Sequence, residues 1–139
     1  MDTANPRPQP LQQIRLVLLV GVLMFGAVVL VVHRQPNWKP GAIPAAIPYA
    51  LVPYSILAVL IATMLKGRVA RERDPQRRGP MLLIGWVVGE SAALIGVVIF
   101  YITGQAQWYG LGLLAMVSAL AILSPGAALP TAGSLDAPG

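Results

Sequence analysis

The sequence predicts an all-α fold, a polytopic membrane protein with four transmembrane helices arranged as two hairpins. The chain is 56% hydrophobic and only 11% charged, whereas a soluble domain carries about 25% charged residues. The charged residues are also segregated, and they leave four long, nearly uncharged stretches at residues 16–32, 43–65, 81–103 and 108–123. Each approaches the ~17–25 residues that cross a bilayer as a helix. One four-helix domain therefore accounts for nearly the whole chain.

The first helix is predicted over about residues 14–33, around the apolar run "LVLLVGVLMFGAVVLVV". The segment before it, residues 1–12, is rich in Pro and Gln and is predicted to be a disordered tail. The last segment, residues 125–139, is rich in Gly, Ala and Pro and is predicted to be disordered as well. The transmembrane domain is therefore expected to occupy residues 13–124.

The second helix is predicted over about residues 47–66, and its start is complicated by prolines at positions 40, 44, 48 and 53. Proline is tolerated in the first turn of a helix, but further inside it removes a backbone hydrogen bond. One interpretation is an extended or interfacial lead-in, followed by a regular helix from Pro48 or Pro53. The other is a proline-broken helix that lines a cavity, because irregular backbone at membrane depth must be shielded by protein or water.

The third and fourth helices are predicted over residues 81–103 and 107–123, joined by a loop too short for anything except an antiparallel hairpin. Small residues recur at helical spacing on both, which lets two helix backbones approach closely. We expect this stripe to mediate packing within the hairpin or between protomers. Its members are Gly85, Gly89, Ala93 and Gly96 on the third helix and Gly112, Ala115 and Ala119 on the fourth.

Lys and Arg are distributed unevenly between the predicted loops. Six of the ten lie in the segment 66–78, two precede the first apolar run, two lie in the first loop, and the last loop and C-terminal tail hold none. The positive-inside rule therefore places both termini in the cytoplasm. The basic loop 66–78 is also expected to attract anionic lipid headgroups, at about 1 kcal/mol per basic residue near the surface.

One ionisable residue, Glu90, stands within the apolar run "GWVVGESAALIGVV" of the third helix. At 1.5 Å per residue it lies ~13 Å beyond Met81, close to mid-membrane. A charge there costs at least ~2.5–3.5 kcal/mol, so such residues usually face protein or water and mark functional sites. We expect a buried carboxyl that is protonated or able to exchange a proton.

Several hydroxyl groups are predicted near the level of Glu90. Ser118 is the closest in depth, Ser91 is its neighbour in the chain, and Tyr54, Ser55 and Thr63 lie somewhat above and below. Three roles remain open for the carboxyl: a structural hydrogen bond to Ser118, a proton or cation site with Ser118, Thr63 or Ser91 as helper oxygens, or a contact with a partner protein or lipid headgroup.

The composition predicts no enzyme, no cofactor and no metal site. There are no cysteines and a single histidine, His33, at the end of the first helix. A lone histidine without an acid at matching spacing does not make a metal site. The chain also lacks a nucleophile–base set and a phosphate-binding loop. The chain has a net charge of +5, but its basic residues flank the predicted membrane spans. They therefore indicate orientation in a bilayer, and no nucleic-acid partner is expected.

Two resemblances are carried by particular residues. The segment "GESAALIGVVIFYITG", residues 89–104, resembles the carboxylate helix of the rotary-ATPase proteolipids (ATP synthase subunit c and its relatives), with Glu90, Ala92 and Gly96 at the matching positions. That resemblance implies a proton- or Na⁺-binding role for Glu90. The whole membrane region, from "IRLVLLVGVLMFGAVVLVV" to the final "LSPG", resembles a group of small, uncharacterised bacterial four-helix membrane proteins, which implies the same topology and location.

The sequence therefore favours a small, non-enzymatic, multi-pass protein of the bacterial cytoplasmic (inner) membrane. Its expected role is structural or accessory, within a homo-oligomer or a larger membrane complex surrounded by the lipid bilayer. The alternative is a proteolipid-like subunit that binds or translocates H⁺ or Na⁺ through Glu90.

Overall fold

The computed structural model describes residues 9–124, which form four helices and, within that range, no strand. The helices are α1 (Gln9–His33), α2 (Ala46–Arg71), α3 (Pro75–Thr103) and α4 (Ala106–Ile122). The predicted all-α class and the number of helices are confirmed. The first three are long and apolar enough to cross a membrane, while α4, with 17 residues, is shorter.

The two predicted tails lie largely outside the described residues, which exclude residues 1–8 and 125–139. However, α1 begins at Gln9, so residues 9–12 are helical although they were expected to belong to the disordered tail. Gln is a good helix former, and proline is accepted in a first turn, so the composition of this segment does not oppose a helix.

The helices α2, α3 and α4 pack around one another, and α1 lies mainly against α3. The largest buried cluster runs through this group and includes the fully buried Trp86 and Met116 together with Val22 of α1. A smaller cluster, Val29 with Val97 and Phe100, joins α1 to α3 nearer the other end. The remaining side of α1 is largely exposed apolar surface, as in a helix that faces lipid.

Most of the small-residue stripe lies in the α3–α4 contact, whereas Ala115 lines a groove between α2 and α4. A Cβ atom added to Gly89 would lie 2.8 Å from the Cβ of Ala119, and one added to Gly96 would lie 2.5 Å from the carbonyl oxygen of Trp108. From the other side, a Cβ on Gly112 would meet the carbonyl of Ala92. The two backbones are therefore in close contact, which glycine and other small residues permit.

The helix α2 is continuous through its prolines. It begins at Ala46, with Pro48 buried in the first turn, and passes Pro53 without interruption. The prolines at 40 and 44 precede it, in a non-helical connection that extends from the end of α1. The structure thus has a lead-in followed by a regular helix, and Pro53 removes one intrahelical hydrogen bond.

The basic segment predicted as a loop is mostly helical, which corrects the expectation for residues 66–78. The helix α2 continues to Arg71 and α3 begins at Pro75, so only residues 72–74 connect them. Asp74 caps α3 by accepting a hydrogen bond from the Gln76 amide at 2.9 Å, and proline stands in the first turn. An Asp-Pro pair is a strong helix start signal, and Lys and Arg are good helix formers.

A compact cluster closes the opposite end of the bundle. The His33 ring packs edge-on against Trp38 and Phe100, with ring centroids 4.0 and 4.5 Å apart, and its Nε2 lies 3.2 Å from the carbonyl oxygen of Tyr101. The left-handed Gly104 (φ 75°) ends α3 under the Trp38 ring. These contacts hold the end of α1 and the α1–α2 connection against α3.

We predict that Gly112→Ala destabilises the hairpin, because the added methyl group would meet backbone atoms of Ala92 and Ala93 that cannot move aside easily. Overpacking of this kind costs about 1–3 kcal/mol. Unfolding in mixed detergent micelles, followed by circular dichroism, measures the loss. The matched control is Gly110→Ala, on the same helix, where nothing lies within 4 Å of the added atom. Equal stabilities for the two variants would contradict the close contact.

Candidate functional site

Glu90 lies on the side of α3 that faces α1, at the edge of the contact between the two helices. It follows Trp86 by one turn and precedes Val97 by two, so the three share one side of the helix. Trp86 and Val97 belong to the two clusters that include α1 residues. Leu94, one turn beyond Glu90, is exposed, and Glu90 itself is half-buried. The carboxyl is therefore placed between the α1 contact and the outer surface of the bundle.

The Glu90 side chain has no hydrogen bond and no ion pair to any residue in the part of the chain that the structure describes. Across residues 9–124, the one ion pair joins Arg77 to Asp74 at 3.7 Å, on the surface at the start of α3 and far from Glu90. A carboxyl in an apolar surrounding needs a partner for its oxygen atoms and its proton, since an unmade hydrogen bond costs about 1–3 kcal/mol. The Glu90 oxygens are not among the fully buried polar atoms, so they reach the surface of the bundle, where a group outside the described residues can bond to them.

Ser91 is engaged elsewhere. Its hydroxyl donates to the carbonyl oxygen of Val88 at 2.7 Å, and Tyr54 of α2 lies 2.7 Å from the same Oγ. Because the Ser91 proton is already committed, the Tyr54 hydroxyl is the donor in the second bond. This pair links α2, about a third of the way along it, to the middle of α3. Successive residues of a helix are rotated by about 100°, so Ser91 points well away from the direction of Glu90.

Ser118 and Thr63 are also separated from Glu90. Thr63 is exposed and donates to the carbonyl oxygen of Val59, one turn earlier in its own helix, at 2.9 Å. Ser118 lines a groove of about 290 Å³ between α2 and α4. We call this the α2–α4 groove, and its lining residues are Val52, Ser55, Ile56, Val59, Leu60, Leu111, Leu114, Ala115 and Ser118. The helper oxygens predicted for Glu90 therefore do not surround it within one chain.

The depth prediction and the packing nevertheless agree. Gly89, immediately before Glu90, packs on Ala119, the neighbour of Ser118. Ser91, immediately after Glu90, is bonded to Tyr54, the neighbour of Ser55. The side chains of Glu90, Ser118 and Ser55 therefore lie within about one helical turn of the same level along the bundle. What separates them is direction around the bundle.

Two buried polar atoms are left without a hydrogen-bond partner within the described residues, the Oγ of Ser55 and the Nε1 of Trp86. Ser55 is 5% exposed and Trp86 is fully buried. The sequence locates Ser55 near the right level, but gives no sign that it borders a groove. The sequence pattern predicts no role for Trp86, although an aromatic residue one turn before a carboxylate shares the same helix face.

Comparison with protein-family models, with curated proteins and with solved structures gives no match to this chain. The resemblances of residues 89–104 and of the whole membrane region therefore remain predictions. Within residues 9–124, no three Asp, Glu, His or Cys side chains converge on a position that could hold a metal ion. The polar chemistry of the site consists of one carboxyl and a few hydroxyl groups.

We predict that Tyr54→Phe weakens the bundle by about 0.5–1.5 kcal/mol, because it removes the donor of the α2–α3 hydrogen bond. The same detergent unfolding assay measures the effect. Tyr49→Phe serves as control, since Tyr49 is exposed and contacts Trp108 through its ring, which Phe retains. In a double-mutant cycle, Tyr54→Phe and Ser91→Ala should lose less together than the sum of their separate effects. Additive losses would contradict the bond.

Proposed function

We propose that this chain is a non-enzymatic integral membrane protein of the bacterial cytoplasmic membrane. Its role is to dock, as an accessory or structural subunit, onto another membrane helix through Glu90. The apolar composition and the three long apolar helices support embedding in a bilayer. The observation that carries the docking role is the half-buried, unpartnered carboxyl at the margin of α3.

The proposed orientation has both termini in the cytoplasm. The basic ends of α2 and α3, which hold Lys66 and Arg78 among others, then lie together at the cytoplasmic surface. There they can contact anionic lipid headgroups. The cluster of His33, Trp38, Phe100 and Tyr101 lies at the opposite interface, where amphipathic rings are favoured.

In this frame Glu90 lies roughly midway along Gln76–Thr103, the part of α3 that is long and apolar enough to span a membrane. An ionised carboxylate at that depth is costly, so the protonated form predominates there and offers one donor and additional acceptor capacity. Polar side chains of this kind hold membrane helices together through interhelical hydrogen bonds. A docking contact satisfies the carboxyl without requiring any group from its own chain.

A second candidate, binding or translocation of H⁺ or Na⁺ by Glu90, is favoured by one feature. The carboxyl lies at the margin of the bundle and is only half-buried, so it can be reached from a lateral neighbour or from a pathway that the neighbour provides. Cation binding would require additional oxygen ligands from that neighbour, since Ser118 and Thr63 lie elsewhere in this chain.

Substitutions at Glu90 separate the two candidates. For a docking role, Glu90→Gln should retain the assembly, because an amide both donates and accepts, whereas Glu90→Leu should disperse it. Native gel electrophoresis of gently solubilised membranes reports the size of the assembly. An ion carrier should instead lose transport in both variants while the assembly survives in Glu90→Gln. Labelling of Glu90 by an apolar carbodiimide should be slowed by Na⁺ only in the second case.

The orientation is tested by single cysteines, since the natural chain has none. We expect Gln107→Cys, at the start of α4, to react with a membrane-impermeant maleimide in intact spheroplasts. Gln76→Cys, at the start of α3, should react only after the membrane is permeabilised. Both positions are exposed, so a failure to react reflects the side of the membrane. The opposite pattern would overturn the proposed orientation.

A further inference from the structure

The α2–α4 groove and the Glu90 carboxyl are two incomplete polar sites on different sides of one bundle. We propose that copies of this chain associate head to tail, with Glu90 of one copy entering the α2–α4 groove of the next and hydrogen-bonding to Ser55 and Ser118. This inference rests on the proposed docking role and names its partner, a second copy of the same chain.

A polar occupant suits the groove better than an apolar one. Its lining is almost entirely apolar, yet Ser55, 5% exposed, has a hydroxyl with no hydrogen-bond partner in the described chain. The Ser55 Oγ lies just beneath the groove surface, so a rotation about the Cα–Cβ bond has to turn it toward an occupant. Ser118, across the groove on α4, supplies a second hydroxyl. A hydrocarbon chain of a lipid would fill the volume and leave the Ser55 hydroxyl unsatisfied, at about 1–3 kcal/mol. A group that both donates and accepts removes that cost.

Glu90 has the matching chemistry. A protonated carboxyl has one proton to donate and oxygen lone pairs that accept, and each serine hydroxyl can do either. One Glu90 side chain can therefore bond with both hydroxyl groups, as acceptor from one and donor to the other. No charge has to be buried, so the desolvation penalty of an ion pair does not arise.

The depths also match. The Gly89–Ala119 contact and the Tyr54–Ser91 hydrogen bond place Ser118 and Ser55 within about one turn of the level of Glu90. Copies inserted in the same orientation therefore present carboxyl and groove at the same height in the bilayer. A lateral approach suffices, with no vertical displacement of one copy against the other.

The directions exclude closure within one chain. Glu90 lies on the α1 side of α3, whereas the groove lies between α2 and α4. Because the two surfaces differ, the contact between copies is heterologous, and it leaves a free carboxyl at one end and a free groove at the other. Repetition closes a ring if the rotation permits and otherwise extends the array.

Cysteine cross-linking between two differently tagged copies tests the contact directly. One copy carries Leu94→Cys, exposed one turn from Glu90, and the other carries Ile56→Cys, exposed at the groove. Both are co-expressed and oxidised in native membranes. We expect a mixed-tag disulfide, with at least tenfold less product when the Leu94→Cys copy also carries Glu90→Leu. Glu90→Gln should retain the product within about twofold, and Ser55→Ala with Ser118→Ala in the other copy should reduce it.

The matched control replaces the groove cysteine by Met24→Cys, which is similarly exposed but lies on α1. This pair should give only background product. Efficient Leu94→Cys homodimers with no mixed product would indicate a symmetric contact and overturn the proposal. A mixed product that Glu90→Leu leaves unchanged would overturn the role of the carboxyl.

The two levels of inference fail separately. If no mixed disulfide forms, but Glu90→Leu still disperses a larger assembly and Glu90→Gln does not, the partner is a different protein and only the present inference fails. If Glu90→Leu has no effect on assembly size, the docking role itself fails. Detergent unfolding of each variant is compared with that of the natural chain. An unchanged unfolding curve shows that the fold is intact, so that a lost disulfide product reflects a lost contact.

Discussion

The direct backbone contact between α3 and α4 decides where the other helices can lie. Because Gly89 and Gly96 let the two helices approach with only small side chains between them, the large residues of α3 project from its other sides. Trp86 and Phe100 are among them, and they form the surface on which α1 packs. The helix α2 then occupies the remaining angle against both partners. Close approach at one interface thus creates the distinct surfaces that the bundle presents elsewhere.

Polar groups half-way along the bundle are used in two different ways. Tyr54 and Ser91 satisfy each other and fasten α2 to α3, so they belong to the fold. Ser55 has no such partner within the described residues, and Glu90, at nearly the same level, is only half-buried and takes part in no hydrogen bond there. In the proposed bilayer, each unmade bond favours a neighbour that can complete it. One pair of polar groups therefore stabilises the monomer, and the other pair is left for the proposed contact with a neighbouring molecule.

Sequence patterns predict the helices well, and the 1.5 Å rise predicts which residues lie at the same level along the bundle. They locate Ser118 and Glu90 at one level, as the packing of Gly89 on Ala119 shows. They do not predict that the two side chains diverge, since direction around α3 depends on which helix covers each side. The end of α2 is missed for another reason. Charged residues mark the end of a membrane span in the sequence, but the helix itself continues past them to Arg71.

The short fourth helix has a consequence for the surrounding lipid. At 17 residues, α4 is about 25 Å long, less than the ~30 Å thickness of a typical hydrocarbon core. In the proposed embedding, beside the longer α2 and α3, it would produce hydrophobic mismatch on one flank only. Lipids along that flank would thin, at fractions of a kcal/mol per Å. Two molecules that share a thinned zone would deform less lipid than two apart, so bilayer elasticity would add an attraction that no side chain supplies.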